Sequence, residues 1–333
     1  MTTYKVIKGF SIQTVAGDPS NLTTGQIWYD SGSQKIQGAK LVAGSWASGG
    51  NVNTGRTQVK GCGTQTAALA TAGQVTSFGT NPTNINELYD GTSWTEVGDL
   101  NTARRTGAEF GISTAAIYAG GYAPPGGQLI VESYDGSSWT EVGDLTTASG
   151  GEGGTRYHFA GFGTATAGAV VAGSAPNPGN VETWDGSSWT EVADINTQRG
   201  NIAASTQGTT TASIVMGGED TGPTALTVTE SWDGSSWTEV GDLNTGLFAS
   251  GHAGTQAAAS IFGGTNPGVT THEQWDGTNW SASAALNAGK KWLASAGSAT
   301  AALAATGSPA PPAPAATEEF TGPAVTASTF TSS

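Results

Sequence analysis

Short apolar runs alternate with polar turns along the chain, and the same order of segments returns about every 45 residues. Six times an aromatic residue stands two positions after a glutamate, and five of these aromatics open a Y/W-D-G-[ST]-[SN]-W hexapeptide. The aromatic residues are Tyr89, Tyr134, Trp184, Trp232, Trp275 and Phe320. A period near 45 residues with a tryptophan in each unit is typical of a β-propeller built from four-stranded blades.

Each repeat divides into four predicted strands. In one of them, a segment of small residues before Gly111 is followed by A-A-I-Y-A-G-G, then by V-E-S-Y-D and finally by W-T-E-V. Small residues suit the first two strands because blades converge on an axis, whereas Tyr and Trp fill the wider space between outer strands. Asp-Gly between the third and fourth strands supplies the left-handed residue that a tight hairpin needs.

Two further series give the same number of repeats. The tryptophans that open the fourth strands are Trp46, Trp94, Trp139, Trp189, Trp237 and Trp280. Glycine pairs ten residues apart recur at 63 and 73, 111 and 121, 163 and 173, 208 and 218, 254 and 264, and 297 and 307. We therefore predict an all-β chain that contains a six-bladed β-propeller.

The ends of the repeat region predict how the ring closes. Trp46 opens a fourth strand that has no first three strands before it, and Phe320 ends a set of three strands with no tryptophan after it. The strand around Trp46 is expected to complete the blade at 290–320, which removes open sheet edges. The alternative is that the last residues supply that strand. The predicted organisation is an N-terminal β-rich arm at 1–40, a propeller at 41–322 and a C-terminal tail at 323–333.

Charge and composition exclude several classes of function. The net charge is −14, of which residues 1–45 carry +2 and the remainder −16. A nucleic-acid reader needs a basic surface, so we expect no nucleic-acid partner. The three histidines lack zinc-ligand spacing, and we predict no metal and no cofactor. No apolar run is long enough for a membrane span or a signal peptide, which predicts a protein made in the cytoplasm without membrane insertion.

The repeat resembles the kelch repeat over residues 46–320. The resemblance lies in the glycine doublets at 120–121, 217–218 and 263–264, in the aromatic residue and the tryptophan five positions later, and in a basic residue after the tryptophan. That basic residue is Arg56, Arg104, Arg199 or Lys290, whereas Ser149 stands at this position in one repeat. The resemblance implies a kelch-like propeller.

The sequence of the repeats, such as S-S-W-T-E-V-G-D-L-N-T, is similar to that of Gly/Thr/Asn-rich kelch arrays of tailed bacteriophages, particularly marine ones. The segment G-D-P-S-N-L-T-T-G-Q-I-W-Y-D near the N-terminus also resembles a short hairpin of phage tail and fibre proteins. This resemblance implies a virion protein that faces the host.

One glutamate recurs on every predicted third strand. The six are Glu87, Glu132, Glu182, Glu230, Glu273 and Glu318. A catalytic or cation-binding ring is conceivable, but we favour a structural role, because a catalytic group is needed once and a repeated carboxylate can satisfy backbone donors or the Arg56-type cations. Cys62 is predicted to be a buried, inert thiol. We predict no catalytic residue and therefore no enzyme.

Variation in loop length predicts where binding occurs. The first-to-second and third-to-fourth connections keep their lengths, whereas all the length variation falls on the connections of the opposite face. Loops of differing length on a rigid scaffold usually carry recognition, although unconstrained loops also drift in length. The candidate binding residues are Tyr122, Pro124, Tyr157, Asn177, Asp220 and Asn266.

The resulting hypothesis is a tail fibre or adhesin component of a phage virion. The arm at 1–40 is expected to attach to other virion proteins or to self-associate, and the variable face to bind a host-surface glycan or protein. One alternative is a capsid decoration or tail structural protein that binds no receptor. A second alternative is a glycan-active enzyme.

Overall fold

The chain is all-β in a computed structural model that describes residues 12–75, 81–146, 156–173, 179–222, 224–265, 267–308 and 314–330. These residues form 28 strands in seven four-stranded sheets, and they include no helix. No helix that could cross a membrane is therefore found in this part of the chain. The prediction of an all-β chain is confirmed. Contacts divide the chain into unit 1, residues 1–45 and 322–333, and unit 2, residues 46–321.

Unit 1 contains one sheet, which joins the two ends of the chain. Its strands are β1 (Gln13–Val15), β2 (Ile27–Asp30), β3 (Lys35–Val42) and β28 (Ala324–Thr329), in that order across the sheet. β1 runs parallel to β2, and the other pairs are antiparallel. The predicted C-terminal tail at 323–333 therefore needs correction, because its residues 324–329 pair along β3. Thr, Val and Ala favour this pairing since they suit a half-buried pleated surface.

Unit 2 contains six sheets, five of which consist of four consecutive strands in simple antiparallel order. The strands of these five sheets are β5 (Lys60–Thr64), β6 (Ala67–Thr71), β7 (Asn86–Tyr89), β8 (Trp94–Glu96); β9 (Ala108–Ile112), β10 (Ala115–Ala123), β11 (Gly126–Tyr134), β12 (Trp139–Val142); β13 (Ala160–Thr164), β14 (Ala167–Val171), β15 (Val181–Trp184), β16 (Trp189–Val192); β17 (Ala203–Ala204), β18 (Ser213–Met216), β19 (Thr229–Trp232), β20 (Trp237–Glu239); and β21 (Gly251–Gly254), β22 (Ala259–Phe262), β23 (His272–Trp275), β24 (Trp280–Ala282).

The sixth sheet takes its strands from both ends of the repeat region. It consists of β25 (Ala294–Ser298), β26 (Ala301–Ala305), β27 (Thr317–Thr321) and β4 (Ser45–Ser48), in this order. Beyond β4 the pairing continues, because Gly49 N donates to Thr317 O and Val52 N to Ala315 O, both at 2.9 Å. The strand around Trp46 therefore occupies the fourth position, which the last residues of the chain would fill in the alternative prediction.

The six sheets contact one another in cyclic order. The first strands β5, β9, β13, β17, β21 and β25 each contact the next, and β25 contacts β5. Six clusters of buried apolar side chains among the described residues each span two neighbouring sheets. Glycine and alanine on the first strands permit the close approach, as at Gly61, where an added Cβ would meet Ser295 N at 3.0 Å. The architecture of unit 2 is propeller-like.

The predicted Asp-Gly turns connect the third and fourth strands. In the turn after β11, Asp135 Oδ1 accepts the N–H groups of Ser137 and Ser138 at 2.8 and 2.9 Å. Gly136 adopts φ +96°, a left-handed conformation that L side chains rarely adopt. These local hydrogen bonds lower the pKa of Asp135 to about 2.

Candidate functional site

The third-strand glutamates are buried, with exposures of 0 to 3%. Five of them contact a cation, in the pairs Glu87–Arg56, Glu132–Arg104, Glu182–Arg156, Glu230–Arg199 and Glu318–Lys290, at 3.0, 2.8, 2.7, 2.5 and 3.7 Å. Each glutamate also accepts the backbone N–H of a residue in the connection that leads to its own sheet, namely Asn53, Asn101, Thr146, Asn196, Asn244 or Asn287. The carboxylates thus hold connections against sheets and are closed off from solvent.

The prediction that Ser149 replaces the basic residue in the third repeat is wrong. Arg156 pairs with Glu182, and its Nε donates to Ala172 O at 2.9 Å. In four other repeats the cationic residue lies three positions after the asparagine that binds the glutamate, as Arg104 does after Asn101. Arg156 instead lies ten positions after Thr146, because an insertion lengthens this connection.

Glu273 differs from the other five glutamates because its cation position holds Leu247, which is fully buried. Among the described residues, no lysine or arginine lies within 4 Å of its carboxylate. Instead, Glu273 accepts the N–H groups of Asn244 and Thr245 at 2.9 Å each and Asn244 Nδ2 at 2.7 Å. Backbone and amide donors alone therefore suffice to hold this carboxylate.

The fourth-strand tryptophans lie between neighbouring sheets. They are 5 to 7% exposed, and most of their indole N–H groups reach the adjacent sheet. Trp94 Nε1 donates to Thr317 Oγ1 at 3.0 Å, and Trp46 Nε1 to His272 Nδ1 at 3.2 Å. Together with the glutamates, these tryptophans form the scaffold that carries the loops.

Two predicted binding residues of the variable face, Tyr122 and Tyr157, lie together. Their ring centroids are 5.7 Å apart in an edge-to-face arrangement. Arg105 adds a cation, since its Cζ lies 4.8 Å from the Tyr122 ring centroid and its guanidinium donates to Gln74 Oε1. Tyr122 belongs to β10 rather than to a loop, and two backbone hydrogen bonds of 3.1 and 2.8 Å pair it with Arg105. All three side chains are half-buried, so part of each remains open to a ligand.

The other predicted binding residues do not join this cluster. Pro124 is exposed at the tip of the β10–β11 hairpin, which extends beyond the corresponding hairpins. Asp220 accepts the N–H groups of Gly222 and Thr224 at 2.8 and 3.0 Å, which lowers its pKa and orders its own loop. Asn177 and Asn266 lie outside the described residues.

A ring of left-handed residues surrounds the axis where the first strands begin. The six residues stand two positions before each first strand and have φ between 50° and 60°; they are Gln58, Thr106, His158, Asn201, Ala249 and Trp292. Five of the six N–H groups donate to the carbonyl of the preceding member, at 2.7 to 3.2 Å, and Val59 N, rather than the N–H of Gln58, closes the circle on Trp292 O at 3.4 Å. A left-handed residue other than glycine costs about 1–2 kcal/mol, which these hydrogen bonds offset.

The ring and the first strands enclose an axial pocket. Its space not filled by protein atoms is about 550 Å³, part of which is open to solvent. The polar side chains that line it include Lys60, Glu109, His158, Asn201 and His252. Since the His158 ring lies 5.0 Å from that of Tyr157, the aromatic cluster of the variable face borders this pocket.

Burial shifts the pKa of every titratable group in the pocket. It lowers the pKa of Lys60 to about 8 and raises that of Glu109 to about 7. Burial and the nearby Lys60 lower the pKa of both His158 and His252 to about 3, so both imidazoles are neutral at pH 7. Burial and Glu109 raise the pKa of Cys62, whose thiol lies 3.8 Å from Glu109 Oε1, so this cysteine remains a thiol.

No pattern in the chain predicted this pocket, although one signal was present. Glu109 and His252 stand two residues before a first-strand glycine, where Gly61 and Gly161 stand in other repeats. A large polar residue at a position of closest approach indicates that its side chain enters the space at the axis. Among the described residues, no three metal-ligating side chains come together.

Comparison of the chain with protein-family models and with curated proteins finds no match. The assignment of a function therefore depends on the geometry above and on the resemblance of the repeats.

Proposed function

We propose that residues 46–321 form a six-bladed β-propeller of the kelch type. Six four-stranded sheets, cyclic contacts between their first strands and six inter-sheet clusters support this proposal. The hydrogen-bonded ring of left-handed residues adds further support, because its donors and acceptors connect all six sheets in one circle.

The propeller serves as a non-enzymatic host-binding component of a phage virion, and it recognises a surface glycan through its variable face. The observation that carries this proposal is the cluster of Tyr122, Tyr157 and Arg105. Aromatic faces bind the apolar C–H surface of a sugar ring, while the phenol hydroxyls and the guanidinium donate to its oxygens. The assignment to a virion rests on the resemblance of the repeats to phage arrays.

The test compares two tyrosine variants and one control variant in a glycan array and in binding to whole host cells. We expect Tyr122→Ala and Tyr157→Ala each to weaken binding about tenfold, the effect of roughly 1.4 kcal/mol at an aromatic anchor. Ile112→Ala is the matched control, because Ile112 is 54% exposed at the other end of the same sheet. Unchanged binding in both tyrosine variants would refute the site.

We propose further that unit 1 attaches the chain to the particle. Ile27, Ile36 and Phe330 lie on one face of its sheet, and they are 49, 43 and 60% exposed. The Phe330 ring covers Gly38, where an added Cβ would come within 2.6 Å of it. An apolar face of this kind marks an interaction surface.

Point variants test this attachment better than deletion of residues 1–40, which would remove the pairing partner of β28. We expect Ile36→Ser with Phe330→Ser to abolish incorporation into particles while binding to cells persists. Normal incorporation would refute the attachment role. Incorporation of the native chain without any cell binding would favour a capsid decoration or tail structural protein, and turnover of a bound glycan would favour an enzyme.

A further inference from the structure

The axial pocket holds the half-buried ammonium group of Lys60, which has no carboxylate within salt-bridge distance among the described residues. Lys60 Nζ donates to Phe159 O at 3.4 Å, which is a long hydrogen bond. No carboxylate of the described residues lies within 4 Å of this nitrogen. Because desolvation disfavours a cation that has no close counter-charge, the pocket favours a ligand that brings negative charge.

The groups around Lys60 are compatible with such a ligand. His158 and His252 line the same pocket as neutral imidazoles. Glu109 is the acid that interacts electrostatically with Lys60, and this residue is only 5% exposed. Thr71 Oγ1 donates to Glu109 Oε1 at 2.7 Å, whereas the buried Oε2 has no partner. Burial and the unpaired Oε2 therefore favour the protonated form of Glu109.

We propose that the axial pocket binds the carboxylate of a small acidic ligand through Lys60, beside the imidazoles of His158 and His252. A carboxylate accepts more than one N–H, so the two remaining ammonium protons of Lys60 suit it. The carboxylate comes either from an acidic sugar residue or from a free small acid. This site does not depend on the Tyr122 cluster, so either can fail without the other.

The affinity for an anionic ligand depends on pH, and the titrations of Lys60 and Glu109 change it in the same direction. Above about pH 8 Lys60 loses its charge, so affinity falls as the pH rises. Below about pH 7 Glu109 becomes neutral and no longer repels the anion, so affinity rises as the pH falls. Besides the two imidazoles, the titratable groups that interact with these two are Arg56, which pairs with Glu87, the Cys62 thiol and the phenol of Tyr118.

The experiment is a calorimetric titration of the full chain with methyl glucuronide, methyl glucoside and acetate at pH 6.0 and pH 8.5. The first two probes differ only in carrying a carboxylate or a hydroxymethyl group. We expect the glucuronide to bind at least tenfold more tightly at pH 6.0 than at pH 8.5, and the glucoside not to bind. Acetate that binds as well as the glucuronide would identify a free acid as sufficient, whereas binding of the glucuronide alone would identify the sugar-borne acid.

Three variants complete the test. Lys60→Met should weaken binding about 10- to 100-fold, the range for loss of a charge-assisted hydrogen bond. Glu109→Gln should bind the acid more tightly than the native chain at pH 7.5, an effect opposite in sign that loss of folding could not produce. Lys35→Met, at an exposed lysine of unit 1, is the control. Equal binding of glucuronide and glucoside, or full affinity in Lys60→Met, would overturn the proposal.

Discussion

The buried pair of Arg156 and Glu182 is a direct test of how the repeats are held together. Glu182 Oε1 accepts Arg156 Nη1 at 2.7 Å, and its Oε2 accepts the N–H and the hydroxyl of Thr146 at 2.7 and 2.6 Å. Both charged side chains have no solvent exposure. Glu182→Ala removes every one of these acceptors and leaves the guanidinium buried.

The expected cost follows from this geometry. Removal of one partner from a buried ion pair destabilises a protein by about 3–5 kcal/mol, because the remaining charge stays uncompensated. For a domain of the size of unit 2, about 1 kcal/mol corresponds to roughly 2 °C in the midpoint of thermal unfolding. Glu182→Ala should therefore lower this midpoint by about 6–10 °C.

A second substitution separates the charge from the packing. Leu247 occupies the equivalent position in another repeat, fully buried, so the scaffold accepts a leucine there. Adding Arg156→Leu to Glu182→Ala removes the stranded cation and should recover about 1–2 kcal/mol of the loss. Recovery by a substitution that itself deletes contacts is the signature of an uncompensated charge.

The assay is urea denaturation followed by tryptophan fluorescence, with thermal unfolding as a second measure. Glu141→Ala is the control, since Glu141 is exposed on the edge strand of its sheet, and it should change stability by less than about 0.5 kcal/mol. The reasoning is refuted if Glu182→Ala costs under 1 kcal/mol, or if the double variant is less stable than the single one.

Three further predictions concern local electrostatics and backbone conformation. The pKa of Glu109 in the folded protein is about 7, above its ordinary 4.5. The stability that Glu109 contributes is therefore complete below pH 4.5 and is lost as the pH rises through 7, so the melting temperature should fall between pH 5 and 8. Glu109→Gln should abolish this fall. The pKa of Asp135 is instead lowered from 3.8 to about 2, so stability is lost as the pH falls from 4 to 2, and Asp135→Asn should reduce that loss in an acid titration. Gly163→Ala should cost at least about 2 kcal/mol in urea denaturation, because φ is +113° and the new Cβ would lie 2.5 Å from Ala167 O, whereas Gly222→Ala, with 3.5 Å to its nearest atom, should leave stability unchanged.

The strands and turns of each repeat could be predicted because short-range chemistry specifies them. An Asp-Gly pair such as Asp135 and Gly136 makes the same hairpin in each repeat, since the aspartate accepts the N–H groups two and three residues later and the glycine adopts positive φ. The tryptophan series has six members, and unit 2 contains six four-stranded sheets, because one tryptophan packs between each pair of neighbouring sheets.

Contacts between residues far apart in the chain could not be predicted in the same way. Arg156 was missed because an insertion moved it seven residues beyond the position that the other repeats use. β28 was interpreted as a tail because its partner β3 lies about 290 residues away in the chain, and a lone strand carries no sign of what it pairs with.

The amino-acid sequence by itself determined the all-β class and the four-strand repeat, since both are set by neighbours within one repeat, and the regular recurrence of tryptophan indicated its structural role. Only the tertiary structure decided which side chains meet at the axis. The ring residues Gln58, Thr106 and Ala249 have no common residue type, and only their positions before the first strands bring them together. The same convergence places Lys60 and Glu109, 49 residues apart, in one pocket. Burial there shifts their pKa values, so the chemistry of the axis is a property of the assembled sheets.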